Sequence, residues 1–180
     1  MQPRTERLQK TYRQVEFLRW LSGAGIALVL LLAILFLWFS PVYLADPSMQ
    51  PTLLEGETVF YDRLYKHFTR LQRGDIVVFR DPDTKALLIK RIVAMEGESI
   101  SAKDGVVCID SKYALNESSY LAEQSFDMDT HFVPEGHVFV LSDDRMYGED
   151  SRKESIGCIS YTDILGVVRV RVQRFTVFTH

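Results

Sequence analysis

The chain has 180 residues, of which 47% are hydrophobic, and a formal net charge of -3 at pH 7. This length fits one globular domain with an additional segment. The composition is that of a folded protein, which excludes a disordered chain, and the weakly acidic charge argues against nucleic acid as the partner.

The first element is an apolar run near the N-terminus. No charged residue occurs between Trp20 and Ala45, and residues 26–39 are continuously apolar. About 20 apolar residues are enough to span a bilayer. We therefore predict one transmembrane anchor over residues 21–43, preceded by a short basic segment, residues 1–20, whose apolar spacing extends the anchor helix.

The charges on either side of the anchor predict its orientation. Basic residues precede it and acidic residues follow it before the first basic residue at Arg63. By the positive-inside tendency, the N-terminus is cytoplasmic and residues 44–180 form an extracytoplasmic domain. A cleaved signal peptide is the alternative, but the run is longer than a 7–15-residue apolar region and bulky Tyr43 stands where a cleavage site needs a small residue.

The rest of the chain has the pattern of a mainly β domain. Short β-rich runs are broken by Gly, Pro and Asp, which predicts an antiparallel sheet structure. The last run alternates Val168, Val170 and Val172 with polar residues, so we expect a half-buried strand there. Residues 111–135 lack a pattern and predict a long loop. The predicted strands are residues 58–65, 75–80, 87–95, 98–102, 106–110, 137–142 and 164–178.

A serine directly after the anchor is the first candidate for chemistry. Ser48 lies between Pro47 and Pro51. Proline and serine are ordinary turn residues, so a simple turn is one interpretation. A nucleophile is the other, and it requires a neighbouring group that takes the hydroxyl proton.

Lys90 is the candidate for that group. It lies in an apolar strand, on the same face as Leu88 and Ile92. A lysine that is desolvated in this way has a lowered pKa and can act as a general base, whereas a lysine whose ammonium reaches water keeps its charge. A neutral amine can activate a serine hydroxyl in a Ser-Lys arrangement.

Four ordered segments carry a resemblance to a known family. They are SMQPTLLEGE at residues 48–57, RGDIVVF at 73–79, IKRIV at 89–93 with GESI at 97–100, and VFVLSDDR at 138–145 with DSR at 150–152. In this order, after a single N-terminal anchor, they closely resemble the boxes of bacterial type I signal peptidases. The resemblance extends over nearly the whole chain from residue 20.

The resemblance implies a membrane-anchored endopeptidase that removes signal peptides from exported preproteins, cutting after small residues. Ser48 matches the family nucleophile and Lys90 its general base. The implied fold is the antiparallel β structure shared with LexA-type autoproteases. The implied partners are preproteins and the lipid bilayer, with the secretion or pilus machinery as a further candidate. We expect no cofactor, and the four histidines have no spacing that predicts a metal site.

Several neighbouring positions are expected to support the site. The resemblance places an oxyanion donor at the Ser48 amide and often at the residue two before it, which here is Asp46. Because a carboxylate is the wrong group beside an oxyanion, we expect Asp46 to face solvent. Gly148 replaces the serine that orients the lysine in the family, so Lys90 is expected either to lack that partner or to use Ser142 or Ser151 instead. A structural ion-pair set is expected from Asp143, Arg145, Asp150 and Arg152.

Two other functions compete with the peptidase. One is a signal-peptidase-like helper of surface pilus assembly that does not cleave peptides, although the chain retains both Ser48 and Lys90. The other is a self-cleaving regulator of the LexA type, which would carry a DNA-binding domain instead of an anchor. The pairing of Cys108 and Cys158 stays open between a disulfide and two buried free thiols.

Overall fold

A computed structural model describes residues 4–65, 69–113, 126–147 and 149–172. The chain divides into two compact units, residues 1–39 and residues 40–180. The first contains helix α1, Arg4–Trp38, which is long and apolar enough to cross a membrane. The helix ends before residue 43, the predicted end of the anchor, because Phe39–Tyr43 forms strand β1.

The second unit consists of strands arranged in two sheets. The larger sheet has seven strands in the order β1-β2-β11-β3-β4-β9-β10, and the smaller has four in the order β7-β6-β5-β8. The pairings of β4 with β3 and with β9 are antiparallel, so β4 lies inside the larger sheet. The bounds are β1 Phe39–Tyr43, β2 Thr58–Asp62, β3 Ile76–Arg80, β4 Leu87–Ala94, β5 Ser99–Lys103, β6 Val106–Ile109, β7 Lys112–Tyr113, β8 Met128–Phe132, β9 His137–Leu141, β10 Ile159–Ser160 and β11 Ile164–Val172.

Strand β4 contributes to every hydrophobic cluster of this unit. Leu88 and Ile92 pack in one cluster, Ile89 in a second, and Val93 in a third. The strand is therefore buried on both faces, as its nearly continuous apolar sequence indicates. A polar side chain on β4 is held in a fixed position by the packing around it.

The mainly β, antiparallel fold is confirmed, and all seven predicted strands are present, although residues 173–178 of the last one lie outside the described structure. Two details of the prediction are wrong. Strands β7 and β8 lie within the predicted loop, residues 111–135, of which residues 114–125 are outside the described structure. Val170 and Val172 are 50% and 47% exposed, not buried. The cause is that β11 pairs with β3 only from Ile164 to Val167, and beyond this point it pairs with β2 alone.

Candidate active site

Ser48 is fixed in the connection between β1 and β2. The ends of this connection are joined by a hydrogen bond from Leu44 N to Glu57 O of 2.9 Å. Met49 and Leu53 are buried in the cluster that includes Ile89 of β4. The Asp144 amide donates to Ser48 O at 2.9 Å, which joins the connection to the segment after β9. Ser48 itself is only 4% exposed.

Lys90 reaches this serine from the interior of the sheet. It pairs with Val77 of β3, is 0% exposed, and its Nζ donates a hydrogen bond to Ser48 Oγ at 2.6 Å. A base must be within about 2.6–3.2 Å of the proton-bearing atom for direct proton transfer. The pair therefore has the geometry in which an amine can take a hydroxyl proton.

The surroundings of Lys90 favour its neutral form. Burial lowers the pKa of Lys90, and the nearby carboxylates of Asp46, Asp150 and Glu149 offset only part of this effect. Within the described residues, Ser48 Oγ is the hydrogen-bond partner of Nζ, and no carboxylate pairs with it. An amine buried in this way is available as a base at a lower pH than an exposed lysine.

Arg91, the next residue, faces the opposite side and has a different environment. Its Nε donates to Asp143 Oδ1 at 2.7 Å and its Nη2 to Asp143 Oδ2 at 2.5 Å. Thr52 Oγ1 donates to the same carboxylate at 2.6 Å. This bidentate pair joins β4, the Ser48 connection and the segment after β9. Sequence reasoning missed Arg91, although strand alternation places it opposite Lys90 and next to the same connection.

Three of the four residues of the expected ion-pair set are linked directly, since Arg152 pairs with Asp150 and its Nη1 donates to Arg145 O at 2.9 Å. Asp143 pairs with Arg91, whereas Asp150 pairs with Arg152 through contacts of 2.8 Å. Burial raises the pKa of Asp150, but the hydrogen bond and charge of Arg152 outweigh this and lower it. Arg145 Nε donates to Ser142 O at 2.8 Å. The guanidinium groups of Arg145 and Arg152 both lie over the ring of Phe126.

The two serines expected to substitute at Gly148 differ in their contacts. Ser151 Oγ accepts a hydrogen bond from Val140 N at 3.0 Å. Ser142 is 0% exposed, and its Oγ has no hydrogen-bond partner among the residues that the structure describes. Since Arg91 pairs with Leu141, continuing the register places Ser142 opposite Lys90. Gly148 is outside the described residues.

Asp46 does not take the orientation that we expect from the sequence. It is exposed, but its Oδ1 accepts a hydrogen bond from the Ser48 amide at 2.8 Å. The expectation that its carboxylate points away from the site is therefore wrong. Partial burial raises the pKa of Asp46, but hydrogen bonds from the Ser48 hydroxyl and amide and the charge of Lys90 outweigh this and lower it. The carboxylate is thus ionised at neutral pH.

The cysteines take no part in this site. Cys108 and Cys158 are free thiols, both half-buried. Burial raises the pKa of Cys158, which makes its thiol less reactive. The described part of the chain contains no group of three or more His, Cys, Asp or Glu residues that could hold a metal ion.

Comparisons with known proteins identify the relatives of this chain. The family model described as signal peptidase, peptidase S26, matches residues 17–173. Signal peptidase I T of Bacillus subtilis is 31% identical over 159 residues, which cover 83% of this chain and 82% of that protein. A probable signal peptidase I-1 of Synechocystis is 34% identical over 134 residues, which cover 70% of this chain and 68% of that protein.

A solved structure was also found. The crystal structure of a signal peptidase I from Enterococcus faecalis aligns with 56% of this chain and 98% of its own chain, at 26% identity and a TM-score of 0.45. The family assignment rests on the two sequence relatives and on the family model, which matches most of the chain. The chain belongs to the peptidase S26 family of signal peptidases.

Proposed function

We propose that this protein is a membrane-bound serine endopeptidase that removes N-terminal signal peptides from exported preproteins. Ser48 is its nucleophile and Lys90 its general base. The observation that carries this assignment is the 2.6 Å hydrogen bond from Lys90 Nζ to Ser48 Oγ, both buried. Cleavage after small residues is expected from the family resemblance.

The Lys90 amine acts twice in each half of the reaction, first as a base and then as an acid. Neutral Lys90 takes the proton of Ser48 Oγ as the oxygen attacks the scissile carbonyl. The resulting ammonium then gives this proton to the departing amine, and an acyl-enzyme remains on Ser48. Water attacks the acyl group with the same amine as its base, and the proton returns to Ser48 Oγ when the acid product leaves. No charge is lost or gained over the complete cycle.

The lowered pKa of Lys90 sets the pH range of this chemistry. An amine must be deprotonated to act as a base, so activity falls as the pH decreases through the pKa of Lys90. Each unit by which burial lowers this pKa increases the neutral fraction about tenfold at a pH well below it. The fully buried position of Lys90 in β4 therefore allows an amine to serve at a pH where an exposed lysine is charged.

Ser142 is the residue that we assign to orienting the Lys90 amine. Its hydroxyl is buried without a partner in the described structure, and the strand register places it opposite Lys90. Ser151 is the poorer candidate because its oxygen already accepts a hydrogen bond from Val140 N. In this assignment Ser142 Oγ, which makes no hydrogen bond in the described structure, bonds the Lys90 amine during the reaction and takes the role of the serine absent at position 148.

Helix α1 is the membrane anchor in this proposal. The basic residues before it are cytoplasmic and residues 44–180 are extracytoplasmic, by the positive-inside tendency. An anchored enzyme meets substrates that are held in the same bilayer by their own apolar segments, so their effective concentration rises without additional contacts. The secretion machinery is a further candidate partner.

A non-proteolytic helper of pilus assembly is not supported by a specific observation. Such a helper has no need of a buried lysine in contact with a serine hydroxyl, and the relatives found are named as peptidases. We therefore retain the peptidase as the single proposed function.

The test is cleavage of one preprotein by the full chain in detergent. We expect Ser48→Ala and Lys90→Ala each to lower kcat by more than about 1,000-fold, because each removes one half of the dyad. Exposed Lys103→Ala is the matched control and should cleave like the parent. Undiminished cleavage by either dyad variant would overturn the assignment.

A further inference from the structure

The amide of the nucleophile already has a hydrogen-bond partner in this structure. Ser48 N donates to Asp46 Oδ1 at 2.8 Å, and this carboxylate is ionised at neutral pH. In the proposed reaction, negative charge develops on the carbonyl oxygen next to Ser48, and the Ser48 amide is the donor expected to stabilise it. A hydrogen bond to a carboxylate is stronger than one to a neutral carbonyl. The donor is therefore engaged before the substrate arrives.

The two partners differ in their freedom to move. Ser48 is held by buried neighbours and by the Asp144 amide, whereas Asp46 is exposed. The carboxylate can rotate into solvent without unpacking the connection between β1 and β2. It also cannot stay in place during the reaction, because its charge and that of the oxyanion have the same sign and would compete for one donor.

We propose that Asp46 is a positioning residue that occupies the Ser48 amide in the resting enzyme and must be displaced before this amide can stabilise the oxyanion. The inference rests on the proposed function. Because the contact lies within the enzyme, its displacement lowers kcat/KM by the same factor for every preprotein. Asp46 thus limits the rate of the peptidase without selecting among its substrates.

Asp46 also acts on the base through its charge. The charged groups around Lys90 are the carboxylates of Asp46, Asp150 and Glu149 and the guanidinium of Arg152. Among the three carboxylates, Asp46 makes the largest contribution that favours the protonated amine. Removing its charge therefore moves the acidic limb of the pH-rate profile to lower pH, whether or not Asp46 also holds the Ser48 amide.

A purely structural role makes a different prediction. An aspartate that accepts a hydrogen bond from the amide two residues later is a common turn former, and Pro47 between them suits such a turn. If Asp46 only shapes the turn, Asp46→Asn should match the parent because it keeps an acceptor, and Asp46→Gly should lose activity and thermal stability. If Asp46 holds the amide, removing the carboxylate should increase activity.

The experiment compares Asp46→Gly, Asp46→Ser and Asp46→Asn in the full chain in detergent, with one preprotein. Values of kcat/KM are taken at a pH above the acidic limb, so that the protonation state of Lys90 does not differ. We expect a rise of about tenfold for Gly and Ser, a smaller rise for Asn, and an acidic limb at lower pH for all three. Glu55→Gln, which removes an exposed charge from the same connection, should leave both quantities unchanged.

The inference is overturned if Asp46→Gly and Asp46→Ser cleave no faster than the parent on the plateau. An acidic limb that stays in place in all three variants would overturn the separate statement that the charge of Asp46 acts on Lys90. Thermal denaturation of each variant in the same detergent shows whether a fall in activity comes from unfolding. If it does, Asp46→Asn, which keeps the turn acceptor, decides whether Asp46 holds the Ser48 amide or only shapes the turn. Ser48→Ala tests the proposed function separately from the role of Asp46, since undiminished cleavage by this variant would overturn the proposed function.

Discussion

Lys90 and Arg91 are adjacent basic residues on one buried strand, but their side chains have opposite kinds of hydrogen-bond partner. The Arg91 guanidinium donates hydrogen bonds to both carboxylate oxygens of Asp143 and to Thr52 Oγ1. Lys90, on the other face, is fully buried and donates to the neutral hydroxyl of Ser48. The charge of Arg91 is balanced by a bidentate carboxylate, while the Lys90 amine is desolvated and has no carboxylate hydrogen-bond partner among the described residues.

The difference shows how one strand provides both rigidity and reactivity. A buried charge that is paired and hydrogen-bonded is stable but chemically inert. A buried amine without a carboxylate partner has a lowered pKa and can accept a proton. In the proposed mechanism, the Arg91 pair holds the Ser48 connection in place, and Lys90 acts on the Ser48 hydroxyl.

The largest effect should come from giving Lys90 the partner that Arg91 has. Ser142→Asp would introduce a carboxylate opposite Lys90, raise the pKa of the amine and reduce its neutral fraction. We expect kcat/KM on the acidic limb of the profile to fall by about 100-fold, which corresponds to a pKa raised by about two units. The measurement is the pH-rate profile, whose acidic limb should move to higher pH.

Ser142→Asn is the control of similar size for that experiment. It adds bulk but no charge, so the position of its acidic limb should stay close to that of the parent. An equal displacement of the limb in Ser142→Asp and Ser142→Asn would contradict the electrostatic explanation.

The second-largest effect should come from removing the carboxylate partner of Arg91. Asp143→Asn would leave Arg91 without its carboxylate at a position where the Asp143 side chain is only 1% exposed. We expect the free energy of unfolding to decrease by about 2 kcal/mol, below the value for a fully buried pair because Arg91 is partly exposed. Thermal denaturation in detergent measures this. A variant as stable as the parent would show that the pair does not hold the connection.

The smallest effects are expected at Ser142 and Ser151, where one substitution should lower activity and the other should lower stability. Ser142→Ala removes a buried hydroxyl that has no partner in the described structure, so stability should not decrease. If Ser142 orients Lys90, kcat should nevertheless fall, by about five- to tenfold.

Ser151→Ala is the matched comparison, because it removes the acceptor of the Val140 amide and should reduce stability by about 1 kcal/mol. Kinetics and thermal denaturation of both variants test the assignment. A Ser142→Ala variant with unchanged kcat would contradict the orienting role.

Much of this fold follows from patterns that the sequence displays directly. The apolar residues of β4 surround one lysine, and this predicts both a buried strand and a desolvated amine. Strand β8 could not be predicted in the same way, because Met128–Phe132 is largely exposed and shows no alternation of polar and apolar residues. Strand β1 was hidden because its residues continue the apolar run of helix α1.

The site was predictable where residue chemistry determines position, and not where loop geometry does. Ser48 and Lys90 could be proposed together because a serine needs a base, a desolvated lysine can provide one, and the four ordered segments resemble a family in which these two positions form the dyad. The pairing of Asp143 with Arg91 depends on how the segment after β9 folds against β4, which no local pattern encodes. The orientation of Asp46 likewise depends on a turn of three residues, in which rotation of a single side chain decides between solvent and the Ser48 amide.

The most direct test of the account is the pKa of the Lys90 amine itself. It can be measured by NMR titration of the full chain in detergent with lysine labelled at the side-chain carbon next to Nζ, and Lys90→Met assigns the resonance. The account predicts that Lys90 titrates below the ordinary lysine value of 10.5 and that activity rises over the same pH range. A Lys90 that titrates at 10.5, or activity that rises at a pH unrelated to its titration, would contradict the assignment of Lys90 as the base.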